Sequence, residues 1–238
     1  MLFIVFSVYR TLCKFKVDET VENKVMLAIP LSLTFGVLTG YVSDVLFLGG
    51  IKGFARPLDY GLNFYGWLFG NMIFLVVYAK STGLSISFLV NCFLPLFAAA
   101  QAIIRIGCFC GGCCFGRPTT SFFGVVFPQG SLPYSVYGAT PLMPVQLFES
   151  AYLMVVFIIL IRFVDFKYRA AVYLMLMPVG RFFLEFLRGD NRGRMFFQSV
   201  LSPAQCLSFL LFAIGGFMYL YPKYRARRQP PQNSPSAP

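Results

Sequence analysis

Long apolar runs alternate with short polar segments along almost the whole chain. Six of these runs lie near residues 25–48, 61–79, 84–106, 145–163, 170–187 and 202–221. Each approaches the roughly 20 residues that a helix needs to cross a hydrocarbon core about 30 Å thick. Their apolar residues are continuous rather than alternating, which predicts membrane-spanning helices and not the strands of a barrel.

The opening segment MLFIVFSVY, residues 1–9, is also apolar but too short to span a membrane fully. A half-span and a signal-like segment are the alternatives, and the lack of a small-residue cleavage site behind it favours the half-span. The composition agrees with a membrane protein, since 58% of the 238 residues are hydrophobic and 12% are charged. The sequence therefore predicts an all-α, polytopic integral membrane bundle of about seven spans, formed by one transmembrane domain at residues 1–222.

Lysine and arginine are divided unevenly between the two sides of this alternating arrangement. One side receives the larger number, at residues 10–24, 80, 162–169 and 223–228. Short loops rich in these residues stay in the cytoplasm, so we predict the amino terminus outside and the carboxyl terminus inside. The Cys- and Gly-rich loop region near 107–144 then faces outward.

The net charge of +11 would also suit a protein that binds nucleic acid. The basic residues, however, are spread over the membrane borders rather than gathered on one soluble face, so we predict no nucleic-acid partner. Residues 223–238 are basic and Pro-rich, which predicts a disordered cytoplasmic tail whose arginines contact anionic membrane lipids.

The segment RIGCFCGGCCFGRPT, residues 105–119, contains four cysteines, Cys108, Cys110, Cys113 and Cys114. Three interpretations stay open: a metal or iron–sulfur site, a disulfide on the oxidising outer side, and small side chains where helices approach closely. Structural zinc sites usually separate their ligands into two pairs, and the chain has no histidine, so we do not predict a metal site. The glycines, among them Gly107 and Gly112, would let backbone N–H groups approach an anion.

Charged side chains inside apolar runs are costly and mark candidate functional residues. Arg181, Glu185 and Arg188 lie at i, i+4 and i+7 in GRFFLEFLRGD and therefore share one helix face. Gln146 and Glu149 lie at i and i+3 in PVQLFE. Internal salt bridges are one explanation. The four arginines at positions 105, 117, 181 and 188 nevertheless outnumber the two glutamates, and guanidinium groups match phosphate oxygens, which at a membrane surface belong to phospholipid headgroups.

These segments resemble the prolipoprotein diacylglyceryl transferases, a family of bacterial inner-membrane enzymes. RIGCFCGGCCFGRPT resembles the family signature that begins R-[IL]-G-N-F, PVQLFE resembles P-S-Q-L-Y-E, and GRFFLEFLRGD resembles R-x-x-x-E-F-x-R. The resemblance extends from about Val21 to Tyr221. It implies seven spans and transfer of diacylglycerol from phosphatidylglycerol to a prolipoprotein cysteine or a related acceptor, without a cofactor.

The resemblance also implies roles for individual residues. Arg105 and Arg181 match the arginines that engage the phosphatidylglycerol headgroup, while Arg117 and Glu185 match supporting positions. FYGWLFG stands where the family has F-H-G-G-L-I-G, so Tyr65 replaces the histidine proposed as a base. Cys108 and Cys113 replace an asparagine and a glutamate of the signature. This pattern is that of a divergent paralogue which keeps the lipid donor and changes the acceptor or its activation.

Candidate groups for proton transfer are Tyr65, Glu149 and Glu185, and a cysteine nucleophile at Cys113 or Cys114 is a further alternative. Two other function classes also stay open. One is a phospholipid-binding membrane protein that has lost catalysis, and the other is a thiol redox or metal protein of the membrane.

Overall fold

The computed structural model describes residues 18–48, 64–189 and 203–228. Its helices within these ranges are α1 (Glu19–Leu48), α2 (Phe64–Thr82), α3 (Ile86–Cys110), α4 (Leu132–Tyr137), α5 (Val145–Arg162), a short 3-10 turn (Phe166–Tyr168), α6 (Arg169–Glu185) and α7 (Pro203–Arg228). The described residues form no β-strand, only three isolated antiparallel bridges. The all-α prediction is therefore confirmed for this part of the chain.

Each of the six predicted apolar runs is a helix, with boundaries that differ by a few residues. Helix α3 continues past the predicted end at residue 106 to Cys110, because its last turn is closed by the capping bonds described below. Helix α7 continues to Arg228, so residues 223–228 of the predicted disordered tail are helical. The opening segment, residues 1–9, and residues 229–238 of the tail lie outside the described residues.

Three of the described helices are long and apolar enough to cross a membrane: Glu19–Leu46 within α1, Ile86–Cys110 and Val145–Arg162. Proline occurs inside α1, α3 and α6, at Pro30, Pro95 and Pro178. Membrane helices tolerate such prolines because neighbouring groups satisfy the freed carbonyls. Length, apolarity and helical backbone together identify a helical membrane protein.

The chain divides into two compact units, one ending at Phe93 and the other beginning at Leu94. In the first unit, α1 and α2 pack closely at small residues, since a Cβ on Gly66 or Gly70 would collide with Ser43 or Thr39. The helix pair is also fastened at its other end. Lys24 Nζ donates to the Thr82 carbonyl at 3.0 Å, and the Tyr78 hydroxyl donates to the Lys24 carbonyl at 2.7 Å.

In the second unit, buried side-chain hydrogen bonds tie α5 and α6 to the later part of α3. The Ser150 hydroxyl donates to the Ala102 carbonyl, and the Tyr173 hydroxyl donates to Gln101 Oε1, both at 2.8 Å. Gly180 lets α6 approach the ring of Tyr152 on α5. These contacts fix the relative position of the three helices that hold the charged residues.

The segment between α3 and α5 has a small apolar core of its own. Phe115, Phe127 and Leu142 are buried there, with Phe109 and Tyr137 packed against them. Antiparallel bridges join Pro118 and Val125 to Leu142. The predicted outer loop region 107–144 is therefore an ordered structure that includes the end of α3 and the short helix α4.

Candidate functional site

Five charged residues of the second unit meet at one end of its helices. Arg105 lies near the carboxyl end of α3, Glu149 in the first turns of α5, and Arg181 and Glu185 in the last turns of α6. Arg188 follows α6 directly. Helix α5 runs opposite in direction to α3 and α6, so the start of one element and the ends of the other two come together.

Glu149 is the centre of this charged cluster. Its Oε1 lies 3.0 Å from Arg105 Nη2, and its Oε2 lies 3.7 Å from Arg181 Nη1 and 3.9 Å from Arg188 Nη1. The side chain is 7% exposed. One buried carboxylate therefore faces guanidiniums from three different segments, which the sequence spacing alone did not predict.

Arg181 has a second acidic neighbour on its own helix. Its Nη2 lies 2.9 Å from Glu185 Oε2, one turn along α6, as the i, i+4 spacing predicted. The three arginines and two glutamates of the cluster together carry one excess positive charge. Internal salt bridges thus exist, as one interpretation of the sequence held, but those formed among the residues that the structure describes leave this excess charge.

Arg188 is held in the cluster by its backbone. The segment from Phe115 to Arg117 lies between residues 142–143 and 187–189 and bonds to both: Gly116 N–H donates to the Met143 carbonyl, and Gly189 N–H donates to the Phe115 carbonyl, each at 3.1 Å. A Cβ on Gly116 would collide with the Met143 carbonyl, so this close approach requires glycine. The Arg188 side chain is 3% exposed as a result.

Gln146 and Arg117 border the cluster on different sides. Gln146, which is 1% exposed, donates from Nε2 to the Cys113 carbonyl at 2.8 Å. Its Oε1 is buried and has no hydrogen-bond partner within the described residues. Arg117 is exposed, and its backbone N–H donates to the Leu187 carbonyl at 2.9 Å, which places it beside the segment that leads to Arg188.

The glycines after Arg105 shape a turn rather than an open anion nest. Gly107 lies within α3, and its carbonyl accepts the Gly111 N–H. Gly112 has φ 66°, and its N–H donates to the Phe109 carbonyl at 3.2 Å. The Gly112 N–H, which the sequence predicted could approach an anion, is therefore already hydrogen-bonded to the Phe109 carbonyl.

Comparison with known proteins gives the wider context of this geometry. The family model described as prolipoprotein diacylglyceryl transferase matches residues 1–221. The chain belongs to this family. A Clostridium perfringens protein named phosphatidylglycerol–prolipoprotein diacylglyceryl transferase 2 is 28% identical over 217 residues, covering 87% of this chain and 82% of the relative. A Clostridium tetani protein named phosphatidylglycerol–prolipoprotein diacylglyceryl transferase is 27% identical over 213 residues, with 87% and 83% covered.

A third relative comes from a different bacterial group. The Bordetella bronchiseptica protein with the name phosphatidylglycerol–prolipoprotein diacylglyceryl transferase is 29% identical over 196 residues, which cover 78% of this chain and 72% of the relative. The family match includes every residue of the charged cluster. The resemblance inferred from three short motifs is thus confirmed over nearly the whole chain.

Tyr65 is the main departure of this diacylglyceryl transferase family member from the motifs quoted above. It lies in the first turn of α2, in the first compact unit, and its side chain is outside the described part of the chain. Its role as a base therefore stays a prediction from the sequence.

The cysteines are the second departure. The four cysteines of the Cys-rich segment form no disulfide within the described residues, and Cys110 and Cys113 are exposed. Desolvation by surrounding protein and the neighbouring Cys114 raise the pKa of the Cys113 thiol above its usual range. This shift disfavours a ready thiolate nucleophile at Cys113. Cys114 was considered only as an alternative nucleophile, although the Gly-Gly-Cys-Cys sequence at residues 111–114 was a signal for a tight turn that would bring it back toward Cys108.

Proposed function

We propose that this chain transfers the diacylglyceryl group of phosphatidylglycerol to a cysteine thiol of a prolipoprotein or a related acceptor, with release of glycerol phosphate. The family match over residues 1–221 and the names of the three relatives support this assignment. The observation that carries it is the charged cluster around Glu149, which retains an excess positive charge in a nearly buried position.

The geometry of the cluster suits a phosphate diester. Two of its ion pairs, from Arg181 and Arg188 to Glu149 Oε2, are long at 3.7 and 3.9 Å, and this oxygen makes no hydrogen bond within the described residues. Guanidinium groups bind phosphate oxygens through paired N–H donors. A phosphate group can therefore offer these two arginines shorter contacts than the ones they make to this carboxylate oxygen.

Each residue then has a distinct role in binding the donor. Arg105 and Arg181 bind the phosphate, and Arg188 and Arg117 add positive charge on the side of the 115–118 segment. Glu149 and Glu185 orient these guanidiniums. The buried Oε1 of Gln146, one turn before Glu149, is an acceptor for a hydroxyl of the glycerol headgroup.

The reaction is a displacement at the glycerol carbon that carries the phosphate. The acceptor sulfur forms a bond to this carbon while the carbon–oxygen bond breaks, and its electron pair stays on the departing glycerol phosphate. Arg105 and Arg181 stabilise the negative charge that develops on this oxygen, an effect that usually dominates such catalysis. The thiol proton passes to a base, for which Tyr65, Glu149 and Glu185 are the candidates.

The acceptor side of the reaction rests on the sequence. Gly107, Gly112, Cys108 and Cys113 follow Arg105 directly, and we assign this turn to the vicinity of the acceptor. Replacement of the family's asparagine and glutamate in this turn, and of its histidine by Tyr65, agrees with an altered acceptor or another way of activating a thiol.

The same proposal includes the membrane topology. The chain spans the bacterial inner membrane about seven times, with the amino terminus outside and the carboxyl terminus in the cytoplasm, as the distribution of lysine and arginine indicates. The charged cluster then lies at the outer ends of α3, α5 and α6, at the depth of the outer-leaflet headgroups. The first of the seven proposed spans includes residues 1–9 of the chain, which lie outside the described residues.

Release of glycerol phosphate from labelled phosphatidylglycerol tests the donor chemistry. Wild-type membranes are compared with Arg105→Gln and Arg181→Gln, which keep polar bulk but lose the charge. Arg162→Gln, at the opposite end of α5 and exposed, is the matched control. Loss of one such stabilising group typically slows the chemical step about 100- to 1000-fold, so release should fall that far in the two site variants and stay unchanged in the control.

Native membranes supply the acceptor in this experiment. Wild-type release that is no faster than in membranes lacking the protein would refute the transferase assignment. If the protein still binds phosphatidylglycerol under those conditions, the alternative function is indicated, that of a membrane protein that binds phospholipid and has lost catalysis.

A further inference from the structure

Three cysteine thiols lie together at the end of α3. The Sγ atoms of Cys108, Cys113 and Cys114 are all within 4.8 Å of one another. Hydrogen bonds link the Cys108 thiol to both of the others. The proposed transfer places Cys108 and Cys113 near the acceptor but gives the three thiols no step in the reaction, so what they bind together is a further question.

The sequence builds the trio through a helix-ending motif. Gly112, with φ 66°, reverses the chain after the last turn of α3. The Cys113 N–H then donates to the Cys108 carbonyl at 3.0 Å, and the Gly112 N–H donates to the Phe109 carbonyl at 3.2 Å. These are the two bonds of a Schellman cap, which brings a residue back over the one five positions earlier. The spacing of Cys108 and Cys113 matches this geometry.

Cys114 completes the trio at a conformational cost. It is the one residue other than glycine with a positive φ, 60°, among those that the structure describes. A left-handed backbone costs an L-residue with a side chain roughly 1–2 kcal/mol. The buried Gln146 side chain fixes the adjacent Cys113 carbonyl at 2.8 Å and so holds the turn in place. The three thiols are therefore positioned before any ligand binds.

We propose that Cys108, Cys113 and Cys114 form a binding site for one thiophilic metal ion, Cu⁺ or Zn²⁺, coordinated by three thiolates. A metal–sulfur bond of about 2.3 Å places the sulfurs of such a shell roughly 4 Å apart, within the span of the trio. Thiolates select these soft ions over magnesium or calcium. Cys113 is exposed, which provides a route of entry from solvent and a side on which an added ligand can complete the coordination.

The surrounding charge favours this complex. Three thiolates with one monovalent or divalent cation carry a net charge of −2 or −1, and Arg105 lies one turn before Cys108 on the same helix. Metal coordination itself removes the thiol protons, and the guanidinium one helical turn away partly offsets the net negative charge of the metal–thiolate complex. A metal–thiolate complex with a net negative charge is attracted by neighbouring arginines, whereas a metal ion without thiolate ligands would be repelled by them.

Metal titration of the full chain in phosphatidylglycerol nanodiscs tests the proposal. Reduced protein is titrated anaerobically with Cu⁺ and, separately, Zn²⁺ against a chromophoric chelator of each ion. We expect one ion per chain for at least one of the two metals. Loss of an outer-shell partner alone weakens metal sites about 10–100-fold, so C108S, C113S and C114S should each weaken binding by more than that. Cys110 is an exposed cysteine in the last turn of α3 and is not part of the trio, so C110S should leave the metal affinity unchanged.

A second readout uses the wild-type chain and does not depend on variant folding. Bound metal should slow alkylation of Cys108, Cys113 and Cys114, located by peptide mass spectrometry, and leave Cys110 as reactive as before. Equal protection of all four thiols, absence of protection at saturating metal, or a C110S variant that binds as weakly as C113S would each overturn the proposal. So would isolation of the native protein with two of the trio joined in a disulfide.

Discussion

Replacing Glu149 by glutamine should destabilise the protein more than replacing any other single acidic residue of the charged cluster. The amide keeps the shape of the side chain but removes the charge that faces three guanidiniums at 3.0, 3.7 and 3.9 Å. At an effective dielectric constant of about 20, each such contact is worth roughly 4 kcal/mol before desolvation is subtracted. Breaking a buried charge network by removing one partner leaves a net cost of roughly 3–5 kcal/mol.

Glu185→Gln is the matched control for this prediction. It removes an equal charge from a neighbouring position, but among the described residues Glu185 pairs only with Arg181, and Arg181 keeps its contact with Glu149. The free energy of unfolding should fall by roughly 1–2 kcal/mol, a value between the loss of an exposed i, i+4 ion pair and the loss of a buried charge network. For a chain of this length, 1 kcal/mol shifts the melting temperature by about 2–4 °C. The apparent melting temperature in nanodiscs of neutral lipid, followed by far-UV circular dichroism, should therefore fall clearly further for Glu149→Gln.

The same pair of variants separates the electrostatic explanation from loss of packing. Glu149→Gln raises the excess charge of the cluster from one to two, so an anionic lipid should bind it more favourably and restore part of the lost stability. Melting temperatures are compared between neutral and phosphatidylglycerol nanodiscs. If Glu185→Gln proves as destabilising as Glu149→Gln, or if phosphatidylglycerol restores neither, the reasoning about a Glu149-centred cluster is refuted.

Three further predictions concern other contacts of the second unit. Arg105→Lys keeps the charge but loses the paired N–H donors, so the KM for phosphatidylglycerol should rise about tenfold in the release assay. Tyr173→Phe removes the buried hydroxyl that donates to Gln101, which should lower the free energy of unfolding by about 1–3 kcal/mol in a denaturant titration. Gly180→Val should separate α6 from Tyr152 and lower the yield of folded, monodisperse protein in size-exclusion chromatography, whereas Gly83→Asn, in an open turn at φ 72°, should not.

The helices of this protein are predictable from the sequence because their signal is local. The length and continuous apolarity of each run predict a helix without reference to the rest of the chain. The helices match the runs to within a few residues at most ends. The larger differences, at Glu19, Cys110 and Arg228, lie where the chain is polar or glycine-rich and apolarity no longer marks a helix end. The Arg181–Glu185 pair was predictable for the same reason, since both residues lie on one helix face.

The arrangement around Glu149 was not predictable in this way. The excess of arginine over glutamate was visible, but each arginine partner of Glu149 lies more than thirty residues from it along the chain, and only helix packing selects the pairs. The polar pair of Tyr173 and Gln101 was missed for the same reason. The cysteine trio lies between these cases, because the Schellman cap is a local signal while the left-handed backbone at Cys114 is an exception to residue preference.

Mass spectrometry of an acceptor peptide is the most direct test of the proposed transfer. A prolipoprotein-derived peptide with a single cysteine is incubated with the purified protein and phosphatidylglycerol of defined acyl chains, and the same peptide with serine in place of cysteine is the control. We predict that the cysteine peptide gains the mass of one diacylglyceryl group, that the serine peptide does not, and that Arg181→Gln abolishes the gain. A cysteine peptide that stays unmodified beside folded protein and saturating phosphatidylglycerol would contradict transfer to such a prolipoprotein cysteine.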